Sequence, residues 1–324
     1  GPFRGAPFSL VSVTSAVVGP FDLGTVVLRF GLNIDPYTAQ VSVTPNGSEQ
    51  IPTIIKGIVT HVRDIRVYLN RPHFTLNPTT CAPLAISSTL TSPTGGERTI
   101  SSRFQAANCA NLAFKPSFRV STSGKTSRKT GASLNVKLSF PTTANANISK
   151  VKVELPKQLP SRLTTLQKAC TAKQFDANPA TCPAASKVGY AKAITPLIPV
   201  PLEGPAYFVS HGGESFPNLI IVLQGYGVTI DLVGDTFINE KTNVTSSTFK
   251  TVPDQPVGSF ELTLPQGPNS ALAAVGSLCS LKLKMPTSFT AQNGASFKQT
   301  TAISTTGCPK AHKAKKSKHK KKRK

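Results

Sequence analysis

The chain contains no tryptophan, one methionine and only five tyrosines in 324 residues. Flat aromatic platforms that stack on sugars or bases need such rings in number, so their scarcity counts against a lectin-like groove and a base-stacking surface. Acids are few, 14 against 37 Lys and Arg, and Asp22, Asp35, Asp231 and Asp235 never fall into the D-x-D-x-D-G spacing of a calcium loop. Outside the last fifteen residues the only histidines are His61, His73 and His211, without metal-type or helical spacing, which offers neither a zinc centre nor a histidine base. No run reaches the ~18 apolar residues of a membrane-spanning helix, and no basic-then-apolar leader opens at Gly1.

What is present is turn chemistry. Proline occurs 27 times, Ser, Thr and Asn are abundant, and hydrophobic residues make up 39%, a composition of short strands and many turns. The 17 phenylalanines fall at alternating positions and read as core. In Leu134 to Phe140 the apolar residues Leu134, Val136, Leu138 and Phe140 alternate with Asn135, Lys137 and Ser139, and Val151, Val153 and Leu155 alternate with Lys152 and Glu154. Phe260, Leu262 and Leu264 repeat the pattern, as do Ile65, Val67 and Leu69, while Val188 to Thr195, Ala206 to Val209, Leu219 to Gln224 and Val228 to Val233 are further strands. One helix is expected, Ser161 to Ala169, with Ser161 after Pro160 as its N-cap.

Two stretches follow one plan. G-A-P-F-S-L-V at Gly5 to Val11 matches S-F-P-N-L-I-I at Ser215 to Ile221, and F-D-L-G at Phe21 to Gly24 matches I-D-L-V-G at Ile230 to Gly234. T-L-T-S-P-T-G at Thr89 to Gly95 matches S-F-T-A-Q-N-G at Ser288 to Gly294, and each stretch closes on a cysteine pair, Cys81 with Cys109 and Cys279 with Cys308. The order is kept and the offset drifts slowly, the behaviour of a duplicated unit with loop-length changes. A third pair, Cys170 and Cys182, belongs to a lead-in that the first stretch lacks, and its absence implies a first unit cut at its amino end. Sequential pairing of the six cysteines is expected, and disulfides place the folded chain outside the cytoplasm.

The formal charge of +23 is concentrated at one end, where Lys310, Lys313, Lys315, Lys316, Lys318, Lys320, Lys321, Lys322, Arg323 and Lys324 stand with no acid among them. Ten cations in fifteen residues repel one another and cannot bury a core, so this tail reads as a disordered polyanion-binding element. Catalytic signatures fail. G-K-T at Gly124 to Thr126 has Arg119 where a phosphate loop needs its first glycine, and H-G-G at His211 to Gly213 has no G-x-S-x-G elbow to accompany it. Both are read as turns.

L-N-P-T-T-C at Leu76 to Cys81, C-P-A-A-S-K-V-G-Y at Cys182 to Tyr190, P-L-E-G-P-A-Y at Pro201 to Tyr207 and the lysine-rich end together resemble the large, exported, repeat-containing, uncharacterised proteins of actinobacteria. The resemblance implies an extracellular or cell-envelope setting and carries no active residues.

The expected architecture is all-β. Duplicated β-sandwich-like or open-barrel units lie at 1–115 and 161–309, with a small antiparallel β segment at 116–160 and the tail at 310–324. The expected role is a non-enzymatic structural or adhesive module whose tail meets anionic envelope polymers or lipid head groups, with no cofactor, no metal and no small-molecule substrate. The alternatives are a non-specific electrostatic nucleic-acid binder and a secreted hydrolase of unrecognised type.

Overall fold

The computed structural model describes residues 6–45, 50–61, 63–66, 68, 75–141 and 143–309. The tail from Lys310 to Lys324 and His73 lie outside the described residues. The fold is all-β. The first half contributes a three-stranded antiparallel meander, β1 (Phe8–Val18), β2 (Phe21–Ile34) and β3 (Val41–Pro45), then a minimal hairpin, β4 (Ile54–Ile55) and β5 (Ile58–Val59). A longer hairpin of β6 (Leu84–Thr91) and β7 (Glu97–Phe104) completes it.

The remainder supplies β8 (Ser117–Ser123), β9 (Leu134–Ser139), β10 (Ile148–Glu154), β11 (Cys170–Thr171), β12 (Lys187–Ile194), β13 (Leu202–Ser210) and β14 (Asn218–Gly225). There follow β15 (Val228–Asn239), β16 (Val244–Phe249), β17 (Ser259–Leu264), β18 (Lys284–Ala291) and β19 (Ser296–Thr306), with short helices α1 (Leu163–Leu166) and α2 (Ala172–Ala177) after β10. The pairing order is β13-β12-β17-β9-β8-β19-β18-β10-β16-β15-β14, and β14 pairs back onto β13, from Glu203 with Gln224 to Val209 with Asn218. Eleven strands therefore close on themselves, and closure leaves none of them with a free edge. The short β11 adds in parallel to β13 at one rim.

Alternation explains the packing. Leu134, Val136 and Leu138 on β9 turn inward together with Leu262 and Leu264 on β17 and Leu219, Ile221 and Leu223 on β14. Burying an aliphatic side chain such as Ile221, wholly inaccessible here, stabilises by roughly 1.5–3 kcal/mol. Gly234 is the exception that lets Phe249 lie across the inner wall, since a Cβ there would stand 2.7 Å from Cζ of that ring. A separate small core of Phe175, Tyr207, Val209, Ile220 and Val222 lies outside the barrel wall, where α2 covers β13 and β14. The N-cap of α2 is Thr171, whose hydroxyl accepts from Gln174 N.

Strands β8, β9 and β10 are integral to the barrel, so the segment expected at 116–160 as a small module joins 161–309 in one closed sheet. The physical reason is that β10 has partners on both sides far along the chain, β16 and β18. Ile65 does not enter a core. It is exposed, no described neighbour forms a strand with it, and Val67 and Leu69 lie outside the described residues. The expected helix at Ser161 to Ala169 forms only as the four residues of α1, and α2 arises inside the Cys170–Cys182 loop.

The repeat plan is visible in the topology. The meander β1-β2-β3 has the order of β14-β15-β16, and hairpin β6-β7 has the place of β18-β19. The hairpin turn glycines, Gly95 and Gly294, share a left-handed conformation at φ 85° and 86°. Disulfides join Cys81 to Cys109 around the first hairpin, Cys279 to Cys308 around the second, and Cys170 to Cys182 around α2, with Cα separations of 5.5, 5.6 and 5.4 Å. No strand among the described residues of the first half corresponds to β8 through β13.

Candidate functional site

Among the described residues the first half is tied to the barrel at several points, including a backbone bridge of Ala113 to Asn145 and the three ties below, and is exposed beyond them. At the first, Phe8 opens β1 against Tyr226 in the β14-β15 turn, with ring centroids 5.9 Å apart, and Asp231 N donates to Pro36 O at 2.8 Å. Asp35 shapes this β2-β3 turn by accepting from Tyr37 N, Thr38 N and the Thr38 hydroxyl, bonds that hold its carboxyl below the usual range, the Thr38 hydroxyl most of all. At the second, Asp254 accepts from Thr79 N, the Thr79 hydroxyl, Thr80 N and Asn147 Nδ2, at 2.7, 2.6, 2.9 and 2.8 Å. At the third, Asn293 Nδ2 donates to the carbonyls of Cys109 and Leu112.

Beyond these ties the strands carry apolar side chains into solvent. On hairpin β6-β7 one face is a polar ladder, Ser87 with Ser101, Thr89 with Thr99 and Thr91 with Glu97, each pair within hydrogen-bonding distance. The opposite face presents Ile86, Leu90, Ile100 and Phe104, with Ile86 66% and Leu90 57% accessible. On the meander Val11, Val13, Val17 and Phe21 are equally open. Among the described residues hairpin β6-β7 pairs only within itself, whereas its barrel counterpart carries β10 against β18 and β8 against β19. The described residues form an amphipathic β surface with two unpaired strand edges, tied to a disulfide-stapled base.

The residues singled out from the sequence distribute differently. His61 is exposed, and His211 lies in the β13-β14 turn, where its backbone N–H meets Glu214 Oε1 at 2.9 Å. Gly124 packs against the Cys279 and Cys308 sulfurs, leaving no room for a side chain, so G-K-T serves a packing turn. Among the described residues no group of three His, Cys, Asp or Glu side chains could hold a metal ion. Glu203 on the outer wall is held by Lys192 at 2.7 Å and by the Tyr190 hydroxyl at 2.8 Å, and both contacts, Lys192 first, lower its pKa. Asp231 was not legible as special. Burial beneath the Pro36–Tyr37 turn pushes its carboxyl up to about 6, and its Oδ1 has no hydrogen-bond partner among the described residues. The only sequence signal was its place in the I-D-L-V-G match to F-D-L-G.

No family model matches the chain, and no curated protein matches it. Among solved structures it is similar to the collagen adhesin (CNA) from S. aureus, at 7% identity over 91% of this chain and 77% of that one, with a TM-score of 0.23. The functional reading therefore rests on the chain's own geometry.

Proposed function

We propose that this chain is an exported, non-enzymatic structural or adhesive β-repeat module of the cell envelope or extracellular space, with the first half as its gripping surface. The observation that carries this reading is the pairing state of the two hairpins. The same plan that accepts a strand on each side in the barrel is left with both edges and its apolar face open at β6-β7. Open edges of eight-residue strands are a template for strand addition by a partner, with main-chain bonds giving affinity and the apolar face giving selectivity. Three disulfides support an oxidising setting. The polybasic tail adds contact with anionic envelope polymers or lipid head groups that fades with salt.

The test uses the full chain, immobilised and offered solubilised cell-envelope protein and, separately, purified anionic cell-envelope polymer. A Val13→Lys, Ile86→Lys, Leu90→Lys variant is expected to lose at least tenfold in binding while the barrel melts unchanged, and removal of residues 310–324 is expected to remove chiefly the salt-sensitive part. Binding that survives the triple variant and vanishes with the tail overturns the reading in favour of purely electrostatic attachment, nucleic acid included.

A further inference from the structure

The barrel interior is not filled. Its inward side chains leave a space of about 370 Å³, within the range of small-molecule sites, walled by residues such as Leu138, Ile221, Leu232, Phe249, Leu262 and Phe289. Eleven strands make a wider ring than the eight whose side chains just meet at the axis. Leu159, Leu166, Leu272 and Leu278 are buried in the same core without lining the space. Phe8, Ile34, Ala39 and Val41 of the first half cover it, together with Leu197 and Ile198 of the β12-β13 loop.

Three polar side chains interrupt the apolar wall, Gln255, Ser247 and Thr195, and the Thr195 hydroxyl already accepts from Leu197 N. Ser247 on β16 lines the space, and Thr236 on β15 stands directly opposite it in the antiparallel register. Directly opposed residues share a face, and Thr236 also continues the alternation of the lining residues Ile230 and Leu232 on β15, so its side chain is on the inward face beside Ser247, although it is not itself one of the lining residues. Its Oγ1 is inaccessible to solvent and has no partner among the described residues, an arrangement that costs free energy unless something hydrogen-bonds to it. Among the described residues no charged side chain lines the space.

We propose that the barrel is a binding chamber for a neutral, single-headed lipid, a long apolar chain ending in one hydroxyl or amide. The chain occupies the apolar volume, and the head exchanges hydrogen bonds with Thr236 and Ser247 at the end of β15 remote from the Tyr226 turn. A carboxylate is disfavoured because no cation lines the wall to compensate its burial. The first half then acts as the cover over the space as well as a surface of its own. The proposal uses residues distinct from the gripping face and stands or falls separately from it.

The experiment is a fluorescence titration of the full chain with the apolar probe N-phenyl-1-naphthylamine. Saturable binding at one site is expected, with displacement by 1-dodecanol at least tenfold more effective than by dodecane or, at pH 8, by dodecanoate. Ser247→Phe, which puts a ring into the space, is expected to weaken probe binding at least tenfold. Thr236→Val, close to isosteric, is expected to keep probe binding and to lose the preference for the alcohol over the alkane. Far-UV circular dichroism shows whether Ser247→Phe folds, and if it does not, Thr236→Val decides. Absence of saturable probe binding to the wild-type chain, equal displacement by alcohol and alkane, or a folded Ser247→Phe that binds like wild type overturns the proposal.

Discussion

Hairpins β6-β7 and β18-β19 have nearly the same strand lengths, the same left-handed turn glycine and the same enclosing disulfide, yet one lies in solvent and the other in the wall of a barrel. Meanders β1-β2-β3 and β14-β15-β16 differ in the same way: β14 is almost entirely buried, whereas most of β1 is not. The contrast teaches that local sequence sets strand, turn and register, while burial is conferred by neighbours from elsewhere in the chain. Strand β10 is the pivotal neighbour, because it bridges β16 to β18 and so joins meander to hairpin. Nothing among the described residues does this between β3 and β6.

The sharpest way to break this comparison is to truncate the same position in both copies. Phe289 is wholly buried, in edge contact with Phe118 at 5.5 Å, and Leu90 at the matching place is exposed. Phe289→Ala is expected to cost about 3–5 kcal/mol in guanidinium unfolding followed by circular dichroism, and Leu90→Ala less than about 0.5. Equal losses would mean that the first half also has a buried core. Next come the staples, which close loops of 28 and 29 residues and would be worth about the same if loop entropy alone counted. Replacing Cys279 and Cys308 by alanine is expected to lower barrel stability by about 2–4 kcal/mol. The same change at Cys81 and Cys109 is expected to leave the barrel transition within about 1 kcal/mol and to speed amide exchange across residues 84–104.

How much of this was legible follows from which forces act locally. Period-two alternation marked β9, β10 and β17 to within a few residues, because a half-buried strand must alternate wherever it pairs, and Pro and Gly clusters bounded β12 and β14. Turn and cysteine spacing marked the shared plan, because both are short-range. Closure was not legible, since it depends on β13 accepting strands on both edges and β19 pairing in parallel with β8, and no residue type encodes a partner 180 positions away. Ile65 misled for the same reason: alternation states which face is apolar and cannot state that anything covers it. Thr236 and Ser247 carry no sequence signal of their own, and only register puts them on one inward face.

The ties between the halves give a smaller effect and a sharper one. Asp254 accepts four hydrogen bonds, two from the Thr79 and Thr80 amides. Asp254→Ala is expected to weaken the seating of the first half by about 1–3 kcal/mol, read as faster amide exchange at Thr79 and Thr80. If those amides stay protected, the halves are held chiefly by the apolar contacts of Phe8 and Ile34.

Asp231 tests the junction by pH. Burial first, then the negative charges of Asp231, Asp176 and Asp35, push the pKa of the neighbouring Tyr37 hydroxyl up. Burial raises the Asp231 carboxyl to about 6, against an ordinary value near 4. Below about pH 4 it is neutral whether the chain is folded or not. Between about pH 4 and 6 the folded chain keeps a proton that the unfolded chain has released, so stability falls as pH rises, and above 6 the full penalty is present. Asp231→Asn is therefore expected to gain roughly 1–2 kcal/mol at pH 7.5 and little at pH 3.5, measured by urea unfolding at each pH. Asp22, at the same place in the first copy, is exposed and accepts Gly24 N at 2.8 Å, so Asp22→Asn is the paired control, expected to change stability at pH 7.5 by less than about 0.5 kcal/mol. A gain at Asp231 that is equally large at pH 3.5 would trace the effect to amide hydrogen bonding instead of a buried charge, and the contrast between the two copies would then lie in packing alone.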